Sequence, residues 1–325
     1  MAGKYSKTCI VILLSIVFLF FSSNEGFSKS SKRVNHHKKH SISKSVSKKY
    51  AAKKYAGKKT AAQKSVSKKY VGNKSGLILG SAAVFVKDQN TGKCLIQKQA
   101  QAIMPIASIT KLMTAMVVLD AQLDLGEDLI ISEEDVYAVR GTSSRLASGT
   151  ELTREEALLL ALMSSDNRCA HLLGRTYPGG YWACIKAMNA KARSLGLNSM
   201  RFEDTVGLSS GNVSSARDLA MLVDEAYQYD LIRDFSTRKS ATVFIDWQMM
   251  SFRNTNKLVR ESDWKIGLSK TGFTGDAGKC LVMQAKVAKR PFLIVLLDAR
   301  NSRSRINDAN RIKIWLESKT RSERT

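Results

Sequence analysis

The 325-residue chain predicts an α+β fold: one antiparallel sheet built from both chain ends and flanked by helices, with a helical subdomain inserted at about 120–255. Three observations predict it. Strand-like runs frame a tight turn soon after residue 76. Three more strand-like runs with short connections come near the end. The stretch between them is helical by its apolar period and its capping residues.

In order along the chain, Leu77–Val86 and Cys94–Gln97 flank Asp88-Gln-Asn-Thr-Gly92, a strand–turn–strand signal. Ile106–Leu119 begins just after Pro105, is apolar on most faces and reads as a buried helix. Thr153-Arg-Glu-Glu156 is a capping box that opens Ala157–Met163, which is apolar all round and hence buried. After a break, Arg168–Leu173 continues as helix. Ser214-Ser-Ala-Arg-Asp218, with Ser214 as the capping serine, starts another helix through Tyr227. Lys265–Thr271, Cys280–Val287 and Phe292–Leu297 are strands of a meander, separated by Thr274-Gly-Asp-Ala-Gly278 and by Lys289-Arg-Pro291. A closing helix then places Ile312, Trp315 and Leu316 on one face.

The termini add organisation. Residues 1–28 carry Lys4 and Lys7, an apolar run from Cys9 to Phe21, and the small residues Gly26 and Ser28, the pattern of a secretory signal. The run is short of the ~20 apolar residues a membrane span needs. Export to the periplasm is therefore expected, with an uncleaved anchor as the alternative. Residues 29–76 form a basic linker: between Lys29 and Lys74 there are sixteen Lys or Arg and no acid, which, with the +1 of residues 1–28, leaves +7 of the formal +24 to residues 75–325. Within it Lys44-Ser-Val-Ser-Lys-Lys-Tyr50 recurs as Lys64-Ser-Val-Ser-Lys-Lys-Tyr70. Such a segment is expected to stay disordered. For an exported chain its expected partners are anionic envelope polymers or lipid headgroups rather than nucleic acid, with a plain solvated spacer as the alternative. Residues 77–325 are then the globular domain. Its cysteines, Cys94, Cys169, Cys184 and Cys280, lack metal-ligand spacing, and three full disulfide pairings or separate buried thiols all remain open.

Three motifs carry the chemistry. Ser108-Ile-Thr-Lys111 places a hydroxyl and an amine at i and i+3 on one helical face. Unpaired N–H groups and the dipole at that helix start favour negative charge, and burial lowers a lysine's pKa. Ser108 is thus the candidate nucleophile and Lys111 its base. Ser45–Lys48 and Ser65–Lys68 repeat the pattern inside the basic tail, so helical context selects Ser108. Ser165-Asp-Asn167 follows the buried helix, where packing aims it at a cleft. Ser165 would pass a proton to the leaving nitrogen and Asn167 would bind a substrate carbonyl; the plain alternative is that Ser165 caps a helix. Ser210-Gly-Asn212 has the same spelling but reads as turn chemistry. Lys270-Thr-Gly272 occurs once, on a strand at a sheet edge where an extended peptide can pair. There Lys270 brings charge, Thr271 a hydroxyl and Gly272 close approach, and the N–H of Phe273 joins that of Ser108 as an oxyanion hole.

A Ser-His-Asp triad is the rival mechanism, yet His171 is the only histidine outside the tail and sits among Ala170, Leu172 and Leu173, a structural setting.

Ser-x-x-Lys, Ser-Asp-Asn and Lys-Thr-Gly together are the motif set of penicillin-binding proteins and class A β-lactamases. The surrounding residues resemble the S11 peptidases, low-molecular-mass penicillin-binding proteins with D-alanyl-D-alanine peptidase activity. The resemblance is carried by Pro105-Ile-Ala-Ser-Ile-Thr-Lys-Leu-Met-Thr-Ala115, Leu160-Ala-Leu-Met-Ser-Ser-Asp-Asn-Arg168 and Leu268-Ser-Lys-Thr-Gly-Phe-Thr274, and also by Tyr177-Pro-Gly-Gly180, Gly207-Leu-Ser209 and Asn212-Val-Ser-Ser-Ala-Arg-Asp-Leu219. It covers roughly 77–318 and is most similar to the endopeptidase branch.

This implies a serine peptidase of the cell wall that binds β-lactams and uses no metal or organic cofactor. Ser108 would form the acyl-enzyme, Lys111 would take its proton, Ser165 and Asn167 would complete the cleft, and Lys270 with Thr271 would bind cross-linked stem peptides. The larger carboxypeptidases of the family usually carry a further C-terminal β-domain and membrane helix, which also points to an endopeptidase. A carboxypeptidase that trims terminal D-alanine is the alternative. A class A-like β-lactamase is a further one, with Glu203 in the stretch for a deacylating glutamate but without its usual asparagine. A non-catalytic envelope-binding protein is the last.

Overall fold

The computed structural model of the protein describes residues 76–322. The expected export signal, and the basic linker up to residue 75, lie outside the described residues.

The described residues open with β1 (Ala83–Asp88) and β2 (Cys94–Lys98), an antiparallel pair around the expected turn. Asp88 makes that turn, its carboxylate accepting the N–H groups of Asn90 and Thr91 at 3.0 and 2.9 Å. The first strand starts later than the apolar run at Leu77. Gly80 and Ser81 instead donate their N–H groups to the buried carboxylate of Asp308 near the chain end, at 3.0 and 2.7 Å.

A short strand β3 (Met104–Pro105) leads through a 3-10 turn at Ala107–Ile109 into α1 (Thr110–Asp120). Then come β4 (Asp128–Ile130), α2 (Glu133–Ala138) and β5 (Glu151–Thr153), the two short strands pairing with each other. The expected capping box is formed: Thr153 and Glu156 bond reciprocally at the head of α3 (Arg154–Met163). The helices α4 (Asn167–Arg175) and α5 (Tyr181–Ser194) follow. The strand β6 (Val213–Ser214) pairs back to β3.

Ser215, not Ser214, caps α6 (Ala216–Ala226), its side chain accepting the N–H of Asp218; Ser214 is taken up by the pairing with Met104. After α7 (Asp230–Thr237) the helical segment ends in a hairpin, β7 (Ser240–Ile245) and β8 (Gln248–Arg253), that the helical reading of 120–255 did not contain.

The chain closes with β9 (Lys265–Thr274), β10 (Gly278–Val287), β11 (Arg290–Ala299) and α8 (Ser302–Ser322). The main sheet has the order β2-β1-β11-β10-β9, antiparallel throughout, so both chain ends build it as expected and β9 is an edge.

The sheet is buried on both faces, which explains why its strands read as unbroken apolar runs. Side chains alternate between two cores. Ala83, Phe85, Val282, Leu293, Val295 and Leu297 face the helices α1, α3, α4 and α6. Val84, Val86, Leu281, Met283, Ile294 and Leu296 face α8, whose Ala309, Ile312 and Leu316 pack there, with Trp315 partly buried beside them. Within the first core α1 and α3 are enclosed on nearly every side, and that rigidity sets the motif residues at their ends. The four cysteines among the described residues are free thiols, Cys94 exposed and Cys169, Cys184 and Cys280 buried. No helix among the described residues is long and apolar enough to cross a membrane.

Candidate active site

Ser108 sits in the 3-10 turn that feeds α1, one step before the helix on which Lys111 lies. The turn is strained: Ala107 has φ 48°, a left-handed conformation unfavourable for a residue with a side chain. Two glycines let the chain pass there. A Cβ on Gly207 would stand 2.0 Å from the Ala107 carbonyl oxygen, and one on Gly272 would stand 2.9 Å from that of Ile106 and 3.2 Å from the Ser108 nitrogen. The backbone of Ser108 is thus pinched between the Gly207 loop and the edge strand β9.

Lys111 is buried in the first turn of α1. Its Nζ lies 2.8 Å from Ser108 Oγ, 2.7 Å from Asn167 Oδ1 and 2.8 Å from the Val206 carbonyl oxygen. Burial pulls its pKa from the ordinary lysine value down to about 7, against the carboxylates of Asp204 and Asp166, which hold it up. A neutral amine has two N–H groups and one lone pair. Asn167 Oδ1 and the Val206 carbonyl take the two hydrogens, which leaves the lone pair for the Ser108 hydroxyl.

Each partner is braced. Asp204 gathers the N–H groups of Val206, Gly207, Leu208 and Ser209 onto its carboxylate and so fixes the Val206 carbonyl. Buried Asn212 accepts from the N–H groups of Glu203 and Asp204 and donates to Thr110 Oγ1, so the second Ser-x-Asn, read as turn chemistry, also braces the head of α1. Ser165 has φ 61° between α3 and α4. It does not cap α4; Asp166 does, accepting the Cys169 N–H at 3.1 Å and the Ser144 hydroxyl at 2.8 Å.

On β9, Thr271 donates its hydroxyl to Thr255 at 2.7 Å and Phe273 is exposed, with Lys279 Nζ 3.0 Å above its ring centre. Lys270, expected to bring charge, is buried behind the strand and is not part of the cleft lining, its Nζ 3.3 Å from the Thr271 carbonyl. Burial, with Lys111 and Arg305 nearby, pushes its pKa well down.

Ser108, Ser165, Asn167, Thr271, Gly272 and Phe273 meet around a cleft of about 510 Å³. Sequence reasoning missed other walls of it: the Gly141–Ser143 loop, Thr255 and Arg305. Arg305 is buried, bonds the Cys280 carbonyl at 2.8 Å and leaves its Nε without a partner. A signal was present. Arg305 falls on the stripe Arg305, Asp308, Ala309, Ile312, Leu316 that α8 buries, a place where arginine needs a reason.

The rival residues are elsewhere. His171 binds Asp135 at 2.7 Å and stacks on Tyr181, while Arg175 closes on the same carboxylate. Burial works against that carboxylate, but the His171 and Arg175 hydrogen bonds hold Asp135 at a pKa of about 2. His171 and Asp135 are absent from the cleft lining, so this cluster ties α2 to α4 and α5. Glu203 is held by Arg201 at 3.0 Å and accepts from Ser209, outside the cleft lining.

Comparison with known proteins supplies the family. The peptidase S11 family, described as D-alanyl-D-alanine carboxypeptidase, matches residues 70–301. A D-alanyl-D-alanine endopeptidase of Pseudomonas aeruginosa is 47 % identical over 241 residues, 74 % of this chain and 78 % of that one. Its namesake in Escherichia coli is 46 % identical over the same shares. The crystal structure of the Streptomyces K15 DD-transpeptidase superposes with a TM-score of 0.69 at 25 % identity, covering 74 % of this chain and 97 % of that one. The chain belongs to the peptidase S11 family, the serine D-alanyl-D-alanine peptidases.

Proposed function

We propose that the protein is a D-alanyl-D-alanine endopeptidase that opens D-alanyl cross-links between peptidoglycan stem peptides through a Ser108 acyl-enzyme. The observation that carries this is the 2.8 Å contact between Ser108 Oγ and a buried lysine amine whose pKa stands at about 7. In this reading neutral Lys111 takes the Ser108 proton as Oγ attacks the D-alanyl carbonyl. The oxyanion is met by the N–H groups of Ser108 and Phe273, on the two backbones that Gly272 lets approach. Ser165 relays the proton from Lys111 to the leaving nitrogen, and Asn167 binds a substrate carbonyl while it holds the amine. Water then releases the acyl group with Lys111 again as base.

The substrate extends along the free edge of β9. A carboxylate next to the leaving nitrogen would find the Thr271 hydroxyl and the positive charge of Arg305 in the cleft wall, and would favour the charged form of Lys270 behind them. The Pseudomonas aeruginosa and Escherichia coli relatives, 47 % and 46 % identical, bear the endopeptidase name, which supports cross-link cleavage over trimming of terminal D-alanine. Glu203, outside the cleft lining and paired to Arg201, is poorly placed to activate a deacylating water, which counts against a β-lactamase. Residues 1–28 are read as the export signal to the periplasm, residues 29–76 as a basic linker that meets anionic polymers or headgroups, and 77–325 as the catalytic domain.

The test is covalent. A fluorescent penicillin should label the protein one to one, on the peptide that carries Ser108, and should leave Ser108→Ala unlabelled. Labelling that persists in Ser108→Ala sinks the assignment.

A further inference from the structure

The hairpin β7–β8 carries an aromatic tip that the chemistry of the cleft does not use. Its inner face, with Val243, Ile245 and Phe252, is buried in the core. Its outer face pairs Phe244 with Met249, 57 % and 68 % exposed, and the turn presents Trp247 at 91 %. The rings of Phe244 and Trp247 meet edge to face at 6.3 Å. Both turn residues, Asp246 and Trp247, have positive φ, 48° and 62°. Asn-Gly suits such a turn; tryptophan takes it at a cost. A strained, exposed tryptophan beside two further exposed apolar side chains marks a contact surface.

The hairpin rises from the cleft wall. β8 ends at Arg253, just before Thr255, which lines the cleft and holds Thr271. Arg145 lies over Phe252 at 4.1 Å and donates to the Ser251 carbonyl at 2.5 Å, and the Thr150 hydroxyl donates to Asp246 at 3.2 Å. Both belong to the segment that follows the cleft loop Gly141–Ser143. A strand of six residues spans about 20 Å, so the tip stands that far from its base. A stem peptide of about four residues seated in the cleft reaches at most ~14 Å to the sugar that bears it. The ranges match.

We propose that the Phe244–Trp247–Met249 tip is a glycan-binding subsite for the sugar backbone whose stem peptide occupies the cleft. The inference rests on the peptidoglycan reading above. Sugar rings offer apolar C–H faces that stack on aromatic rings, and their hydroxyls can bond the Thr242–Ser251 hydroxyl pair on the same outer face. The turn neighbours of Trp247 in sequence, Asp246 and Gln248, are not cationic, and the arginines at the hairpin, Arg145 and Arg253, lie toward its base, which suits a sugar better than an anionic lipid surface.

The experiment compares wild type with Trp247→Ala and with Phe244→Ala/Trp247→Ala on two substrates: cross-linked sacculi with intact glycan, and sugar-free cross-linked peptide dimers. The expected result is a loss of about tenfold on sacculi, with dimer cleavage and penicillin acylation unchanged. Equal losses on both substrates, or none on either, overturn the inference. In sedimentation, peptide-free glycan strands should retain the wild type and release the variants. Retention of the variants on glycan, with binding to anionic vesicles lost instead, overturns it as well. If wild type cleaves no cross-link at all, the reading of the cleft has failed, and sedimentation with glycan strands still judges the tip by itself.

Discussion

Lys111 is the group whose titration should govern acylation, and the structure sets where. Complete burial, opposed by the carboxylates of Asp204 and Asp166, places its pKa at about 7. At pH 6 roughly a tenth of it is then neutral, and at pH 8 roughly nine-tenths. The second-order rate of acylation by a penicillin should rise roughly tenfold from pH 6 to pH 8 and then level off. An ordinary lysine would instead give a rise of roughly a hundredfold from pH 7 to pH 9 without a plateau.

The sign can be checked by a second perturbation. Asp166 lends negative charge that holds the Lys111 pKa up, so Asp166→Asn should move the plateau to lower pH while keeping the helix cap, since asparagine caps as well as aspartate. Stopped-flow or gel-based acylation kinetics between pH 5.5 and 9 read both. A rate that is flat over that range, or climbs evenly through pH 9, refutes Lys111 as the base; a plateau displaced upward in Asp166→Asn refutes the electrostatic account.

The same burial makes Lys111 a stability cost. Its folded pKa lies below the unfolded one, so the unfolded state binds more protons between about pH 7 and 10.5 and stability due to this group rises with pH across that window. Lys111→Met should therefore melt above wild type at pH 6, by less at pH 9, and take no penicillin label; a lower melting point at pH 6 contradicts this. Gly207→Ala puts a Cβ on the Ala107 carbonyl at φ 90° and should destabilise by about 2–4 kcal/mol and slow acylation by about a hundredfold, read by urea melts and labelling. Asp135→Ala strands Arg175 and His171 and should cost about 3–5 kcal/mol in urea melts, while the acylation pH profile of the folded fraction stays in place.

Much of this was legible in the sequence because the signals were local. The capping box at Thr153, the apolar breadth of Ile106–Leu119 and the turn-bounded final strands named the elements, and helical context chose Ser108 over its two copies in the tail. What escaped depends on the third dimension. Ser214 and Ser215 are equivalent caps as text, and only pairing with Met104 removes the first. Lys270 was read only as a source of charge; the packing that buries it joins β9 to residues distant in sequence. The hairpin at 240–253 hides its turn, since Asp-Trp lacks the glycine that announces one. Arg305 reaches the cleft from the opposite chain end, and only its misplacement on a buried stripe betrays it.

The most direct measurement is mass spectrometry of the products formed from purified cross-linked muropeptide dimers, with Ser108→Ala as control. Monomers should accumulate with wild type alone, with free terminal D-alanine residues left in place. Loss of terminal D-alanine while dimers persist, or monomers formed equally by Ser108→Ala, would contradict a Ser108 endopeptidase.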